Sequence, residues 1–180
     1  QRLLDAACRA CSRGVTRSHL LNFHREGALL EELFTHDGSG TLIAQDPYEQ
    51  ARTAGIDDIA SIMELIRPLE ESGALVRRSR ERLEEEIHHF SILERDGRVI
   101  ACAALYPFTD TGAGEIACVA THPDYRGEGR AQQLLSELID EASRLSLTEV
   151  FVLTTQSTHW FLEQGFEPAM PELLPVEKQQ

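Results

Sequence analysis

Apolar positions along this chain change period several times, and each change marks a new element. Leu3, Leu4, Ala7 and Ala10 recur at helical spacing. Gly14 to Leu21 reads as a short strand, and Glu26 to Phe34 as a helix carrying Ala28, Leu29, Leu30, Leu33 and Phe34. Asp37-Gly38-Ser39-Gly40 predicts a loop and Thr41-Leu42-Ile43 a second short strand. These elements hold too few apolar residues for a free-standing core, so residues 1–46 read as a fragment of, or an extension on, a larger domain.

Residues 47–50, next to Asp46, predict a linker, and a second domain spans 51–180. Ala51-Arg52-Thr53 predicts an edge strand. Ile56 to Arg67 is a helix with Ile59, Ile62, Met63, Leu65 and Ile66 inward, stopped by Pro68. Ser79 is a good N-cap for a helix over Arg80 to His89. Phe90 to Leu93 and Val99 to Leu105 flank Asp96-Gly97, a strong hairpin signal. Glu115 to Ala120 reads as a buried strand, and Leu134, Leu135, Leu138, Ile139, Ala142 and Leu145 form one helical stripe. Val150 to Leu153 predicts a strand, and His159 to Leu162 a short helix closed by Gly165 ahead of a last strand. The result is a mixed α/β sheet.

Between the buried strand and the striped helix lies His122-Pro123-Asp124-Tyr125-Arg126-Gly127-Glu128-Gly129-Arg130-Ala131. A strand feeding a helix through such a turn leaves several backbone N–H groups without intrahelical acceptors. Glycines allow close approach, and Arg126 and Arg130 add charged donors, so the pattern suits a diphosphate. It lacks the Gly-Lys-Ser/Thr of a nucleotide-binding loop and the third glycine of a dinucleotide fingerprint.

Composition narrows the partners. A net charge of −13 argues against nucleic acid and anionic membrane, so a phosphate-bearing ligand needs a local basic patch. The chain holds no run of 18 apolar residues and its first residues lack signal-peptide order, which predicts a cytoplasmic location. Of the four cysteines, Cys8 and Cys11 have no second pair at zinc-site spacing, and Cys102 and Cys118 lie in apolar strands. Free thiols and no metal are expected.

The string GEIACVATHPDYRGEGRA resembles the acetyl-CoA loop of the Gcn5-related N-acetyltransferases (GNAT), whose fold has the element order read above. PLEESGALVRRSRERLEEEI and FVLTTQSTHWFLEQGF extend the likeness to the N-acetylglutamate synthase family. RSHLL with GALLEELFTHDGSGTLI resembles the end of the amino-acid-kinase fold in that family and in arginine-sensitive N-acetylglutamate kinases. The resemblance implies transfer of acetyl from acetyl-CoA to the α-amino group of L-glutamate in a ternary complex, the first step of arginine synthesis, by a homo-oligomeric full-length protein. Two other readings stay open: a GNAT enzyme for another small amine or a protein N-terminus, and a non-catalytic arginine- or CoA-sensing module.

The resemblance also implies roles. Glu115 is the candidate general base, directly or through water; a strand-end glutamate that hydrates the sheet edge is the plain alternative. The backbone N–H of Cys118 is the oxyanion donor, its thiol serving only as packing. Thr154 is the proton donor to the leaving thiolate, against a role in strand propensity alone. Cys118, Val119, Ala120 and residues Arg126, Gly127, Glu128, Gly129, Arg130 and Ala131 hold the cofactor. Arg78, with the backbone N–H of Val76, takes the α-carboxylate, and Lys178 makes another carboxylate contact; Arg78 could instead pair with Glu81, Glu84 or Glu85. His19, Glu32 and Gly38 fall where the family holds arginine as feedback inhibitor. With most of the kinase domain missing, this chain alone is not expected to bind it. The family's last strand, with an Arg and a Ser on the substrate's side-chain carboxylate, lies past Gln180, so acetyl-CoA binding with poor glutamate turnover is expected.

Overall fold

The computed structural model describes residues 2–35, 38–45, 49–170, 172, 174, 175 and 178. Asp37 of the predicted loop, Asp46, and Pro47-Tyr48 of the predicted linker lie outside them. The chain divides into two compact units, 1–50 and 51–180.

The first unit contains α1 (Arg2–Cys11), β1 (Arg17–Leu20), α2 (Ala28–Phe34) and β2 (Thr41–Ala44). β1 and β2 pair antiparallel, with His19 opposite Leu42. Gly27, at φ 76°, marks the start of α2, which therefore begins two residues later than the apolar pattern suggests. Only Ala7, Cys11 and Ala28 are buried here among the described residues, and the Cys11 thiol donates to the Ile43 carbonyl at 3.3 Å. Leu29, Leu30, Leu33 and Phe34 of α2 are 60% to 81% exposed.

The second unit is built on a five-stranded sheet in the order β3 (Glu49–Thr53), β4 (Phe90–Arg95), β5 (Arg98–Phe108), β6 (Ala113–Thr121) and β7 (Glu149–Phe151). β3 is an edge strand and starts inside the predicted linker. The hairpin β4–β5 turns at Asp96-Gly97 with φ 49° and 76°, the left-handed pair of a type I′ turn. β5 and β6 are antiparallel, β6 and β7 parallel.

Helices cover both faces. α3 (Ile59–Glu71) and α4 (Arg80–Glu86) bury Ile59, Ile62, Ile66 and Leu83 against Ile92, Cys102, Ala104, Cys118 and Ala120 of the sheet. On the other face α5 (Arg130–Arg144) packs Leu134, Leu135, Leu138 and Ala142 on Ala101, Ala103, Leu105 and Ile116. The alternation along β5 matches the two-residue period of a strand buried on both sides. Ser79 caps α4 as expected, its hydroxyl accepting from the Arg82 N–H at 3.2 Å, and a 3₁₀ turn continues to His89.

Three expectations need correction. Pro68 does not stop α3, which runs to Glu71; the carbonyl it leaves unpaired belongs to the exposed Glu64, where water can serve it. β7 ends at Phe151 rather than Leu153. After α6 (Thr158–Glu163), closed by Gly165 at φ 91° with the Phe166 N–H on the Phe161 carbonyl, no further strand forms among the described residues.

Candidate active site

The site begins with a counting defect in β6. Cys102 pairs with Ala120 and Ala104 with Ala117, so Cys118 and Val119 together face the single residue Ala103. This is a β-bulge, and its first residue, Cys118, sits at φ 53° in the left-handed region. A one-residue slip exchanges the two faces of a strand. Ile116 accordingly packs toward α5, whereas Cys118 and Ala120 pack toward α3 and α4. The bulge inserts one extra residue into the ladder, a place where a backbone amide can turn to an external acceptor.

Next to the bulge the sheet opens. β7 pairs with β6 only over Ala113–Glu115, and β6 then runs on to Thr121 without it. A cavity of about 540 Å³ fills the gap, lined by Val119, Ala120 and Thr121 on one side, the turn Arg126 to Ala131 below and Trp160 and Phe161 opposite. Gly127 and Gly129, at φ 81° and 79°, hold left-handed conformations that cost any other residue about 1–2 kcal/mol. Gly129 is the N-cap of α5, whose first-turn N–H groups lack intrahelical acceptors and so suit an anion.

The two arginines of this turn behave differently. Arg126 is exposed, its Nε donating to the Thr121 carbonyl at 3.2 Å, which leaves other guanidinium nitrogens for a phosphate. The Arg130 guanidinium turns inward: it donates to the Tyr125 carbonyl at 2.8 Å, pairs with Glu128 at 2.8 Å and lies 5.2 Å from the centre of the Tyr125 ring. Its side chain braces the turn, so contact with a cofactor falls to its backbone.

The α3/α4 face of the bulge carries the charged groups. Glu115, 7% exposed, stands opposite Tyr106 on β5, and Lys178 Nζ lies 2.7 Å from its Oε2. Arg78 comes from the loop between α3 and α4, where its N–H donates to Glu70 at 2.9 Å and its Nη1 to the Val76 carbonyl at 3.0 Å. Its Nε is buried and has no partner among the described residues. Burial opposes the Arg78 charge, but Cys118, Tyr106 and Glu86 around it prevail and raise its pKa. Cys118 feels the charges of Arg78, Glu70, Glu86 and Glu115. Its thiol is pushed up to about 11, chiefly by burial, which makes it a poor nucleophile at neutral pH.

Sequence reasoning missed two members of this group. The Tyr106 hydroxyl donates to Glu86 at 2.8 Å, and Arg82 reaches the same carboxylate at 2.8 Å. Burial works to raise the Glu86 pKa, but these two bonds and Arg78 outweigh it and lower it. Burial, then the bond to Glu86, raises that of Tyr106. The i, i+4 spacing of Arg82 and Glu86 was visible, but their link to a strand 20 residues on was not.

Thr154 is not in the lining of the cavity beside β6. It lies three residues beyond β7, accepts the Ser157 N–H at 3.0 Å and lines a second, more apolar cavity of about 570 Å³ with Val152, Phe161 and Phe166. In the first unit His19, Glu32 and Gly38 do come together. The Glu32 carboxylate contacts His19 Nδ1, accepts the N–H groups of Ser39 and Gly40 at 2.8 and 3.0 Å, and would collide with any Cβ at Gly38. The His19 contact, then the Ser39 N–H, hold Glu32 below the usual carboxylate range.

Among the described residues, no group of three or more His, Cys, Asp or Glu side chains is arranged to hold a metal, and no helix is long and apolar enough to cross a membrane.

Comparison with known proteins agrees with this geometry. Amino-acid acetyltransferases of Pseudomonas paraeruginosa and Yersinia pseudotuberculosis are 57% and 55% identical over 174 and 179 residues, covering 97% and 99% of this chain. The chain spans about 40% of their length. The crystal structure of N-acetylglutamate synthase from Neisseria gonorrhoeae complexed with coenzyme A and L-arginine superposes with a TM-score of 0.89 at 42% identity, over 99% of this chain and 41% of that one. The same enzyme with coenzyme A and N-acetyl-glutamate gives 0.72 at 44% identity, over 99% and 42%. Residues 56–166, which carry the bulge, the glycine turn and the open sheet, match the Acetyltransferase (GNAT) family, and the chain belongs to it.

Proposed function

We propose that this chain is the acetyl-transferring part of an N-acetylglutamate synthase, joined to the end of an arginine-sensing domain. The observation that carries this reading is the arrangement around Cys118. A cofactor-sized cavity lies along the unpaired edge of β6, and Glu115, Arg78 and Lys178 stand on the α3/α4 face of the same bulge. Relatives over nearly the whole chain are named for acetyl transfer to an amino acid.

In this reading acetyl-CoA lies along Val119 to Thr121 with its diphosphate on the N–H groups from Arg126 to Ala131. The acceptor is L-glutamate, its α-carboxylate on Arg78 and the Val76 N–H. Glu115 takes a proton from the ammonium, directly or through water, and the freed amine attacks the thioester carbonyl. A C–N bond forms, the developing oxyanion is held by the Cys118 N–H, and the C–S bond breaks. The nitrogen sheds its second proton as it becomes an amide, and the thiolate leaves with a proton from a hydroxyl, which the shed proton replaces; Thr154 is the candidate hydroxyl. His19, Glu32 and Gly38 form part of an arginine site, which fits feedback by the end product of arginine synthesis in a cytoplasmic, oligomeric full-length protein.

The test is incubation with acetyl-CoA and an equimolar mixture of amino acids, with products identified by mass spectrometry. Acetylglutamate alone is expected. A different acetylated amino acid would overturn the choice of acceptor and leave the family intact.

A further inference from the structure

We infer that Lys178 is a latch on Glu115, released by the α-carboxylate of the acceptor, so that the base becomes available only to an amine that brings a carboxylate with it. This rests on the reading of Glu115 as base and of an amino acid as acceptor.

Glu115 is 7% exposed, and Lys178 Nζ lies 2.7 Å from its Oε2. A charge-assisted bond at this distance is strong. It occupies one of the two carboxylate oxygens that can receive the amine's proton, and it sets an ammonium where a second ammonium has to arrive. Two like charges this close repel strongly in a site largely shielded from water. An acceptor therefore cannot approach the base while Lys178 stays.

An α-amino acid solves this with its own charges. Its ammonium and its carboxylate are two bonds apart, so the ammonium can replace Lys178 on Glu115 while the carboxylate receives the displaced Lys178. One ion pair becomes two, and no charge is stranded. Arg78, whose buried Nε has no partner among the described residues, stands ready on the same face of the sheet to take the remaining carboxylate oxygen. A simple amine can make only half of the exchange: it would leave the Lys178 ammonium without a partner in a confined site, and an unpaired buried charge is strongly destabilising. Lys178 is one-third exposed, and its N–H is anchored on the Pro175 carbonyl at 2.8 Å, so its side chain can swing without the backbone moving.

The latch predicts discrimination in turnover as well as in binding. The probes are glutamate and 4-aminobutyrate, which is glutamate without its α-carboxylate. With the unmodified chain at saturating acceptor, kcat is expected to be about a hundredfold higher for glutamate. In Lys178→Met the gap should narrow to about tenfold or less, through a rise in kcat with 4-aminobutyrate, because nothing then holds Glu115. Lys178→Arg, which keeps the cation, should retain the wide gap. An unchanged ratio in Lys178→Met, or a higher KM for glutamate with both kcat values unaltered, would overturn the latch and leave Lys178 a plain binding contact. Absence of acetylglutamate from the unmodified chain would instead count against the proposed acceptor. A crystal with coenzyme A and glutamate then judges the latch without turnover: Lys178 Nζ on the α-carboxylate supports it, and an intact Lys178–Glu115 pair beside bound glutamate sinks it.

Discussion

The two units place charged residues in opposite settings. In residues 51–180 the candidate chemistry sits at a defect inside a sheet packed on both faces, where Ile59, Ile62, Phe90, Ile92, Leu134 and Leu138 are completely buried. In residues 1–50 the cluster of His19, Glu32 and Gly38 rests on a two-stranded ribbon and two helices with three buried residues among those described. A dense core fixes backbone donors to within fractions of an ångström, which transition-state stabilisation requires. A thin scaffold can still place a carboxylate for a guanidinium, because Glu32 is held by its own local hydrogen bonds rather than by packing.

The contrast can be broken in several ways. Glu115→Gln should lower kcat by about 10²- to 10⁴-fold in an assay of acetyl-CoA-dependent product formation; near-normal turnover would move the base elsewhere. Phe90→Ala should destabilise the second unit by about 3–5 kcal/mol in denaturant titration, whereas Phe34→Ala, on the exposed face of α2, should change stability by less than about 0.5 kcal/mol. Equal losses would mean the first unit is held as tightly as the second. Gly129→Ala puts a side chain into a left-handed N-cap; the free turn should relax out of that conformation, and restoring it on binding should lower the affinity for coenzyme A by about tenfold in calorimetry, matching a strain of about 1–2 kcal/mol.

Two smaller effects depend on protonation. The folded Glu32 carboxyl titrates below its unfolded value, so it contributes stability that is complete above roughly pH 4.3 and is lost as pH falls through the depressed folded value. In an acid titration followed by NMR, the Ser39 and Gly40 amides should shift in that window, and Glu32→Gln should abolish the step. The Cys118 thiol, pushed up to about 11, has roughly one molecule in a thousand ionised at pH 8. Alkylation of the folded chain should therefore mark the exposed Cys8 and spare Cys118, and Cys118→Ala should keep turnover within about threefold, since only the backbone amide is used. A large loss would give the thiol a part in the chemistry.

Local signals carried much of the fold. Asp96-Gly97 announces its hairpin because few residue pairs accept two positive φ angles, and Ser79 announces α4 because its hydroxyl replaces a missing acceptor. The glycine turn before α5 was legible for the same reason. What stayed hidden depends on partners distant in sequence. Both faces of β6 carry apolar residues, so Ile116-Ala117-Cys118-Val119-Ala120 shows no apolar–polar alternation that could betray a bulge. The inward turn of Arg130 is set by Tyr125 and Glu128, and the reach of Tyr106 to Glu86 by strand pairing. Residue identity gave no hint of either.

The extra residue in β6 has a consequence for how this strand tolerates change. Ahead of Cys118 the even-numbered side chains belong with α5; from Cys118 on, the even-numbered ones belong with α3 and α4. A saturation scan along Ala113 to Thr121 should thus show its preferences shift phase midway, like a rhythm that drops a beat. A strand of even count would lose that shift, and with it the extra residue that disturbs the β5–β6 ladder at Cys118.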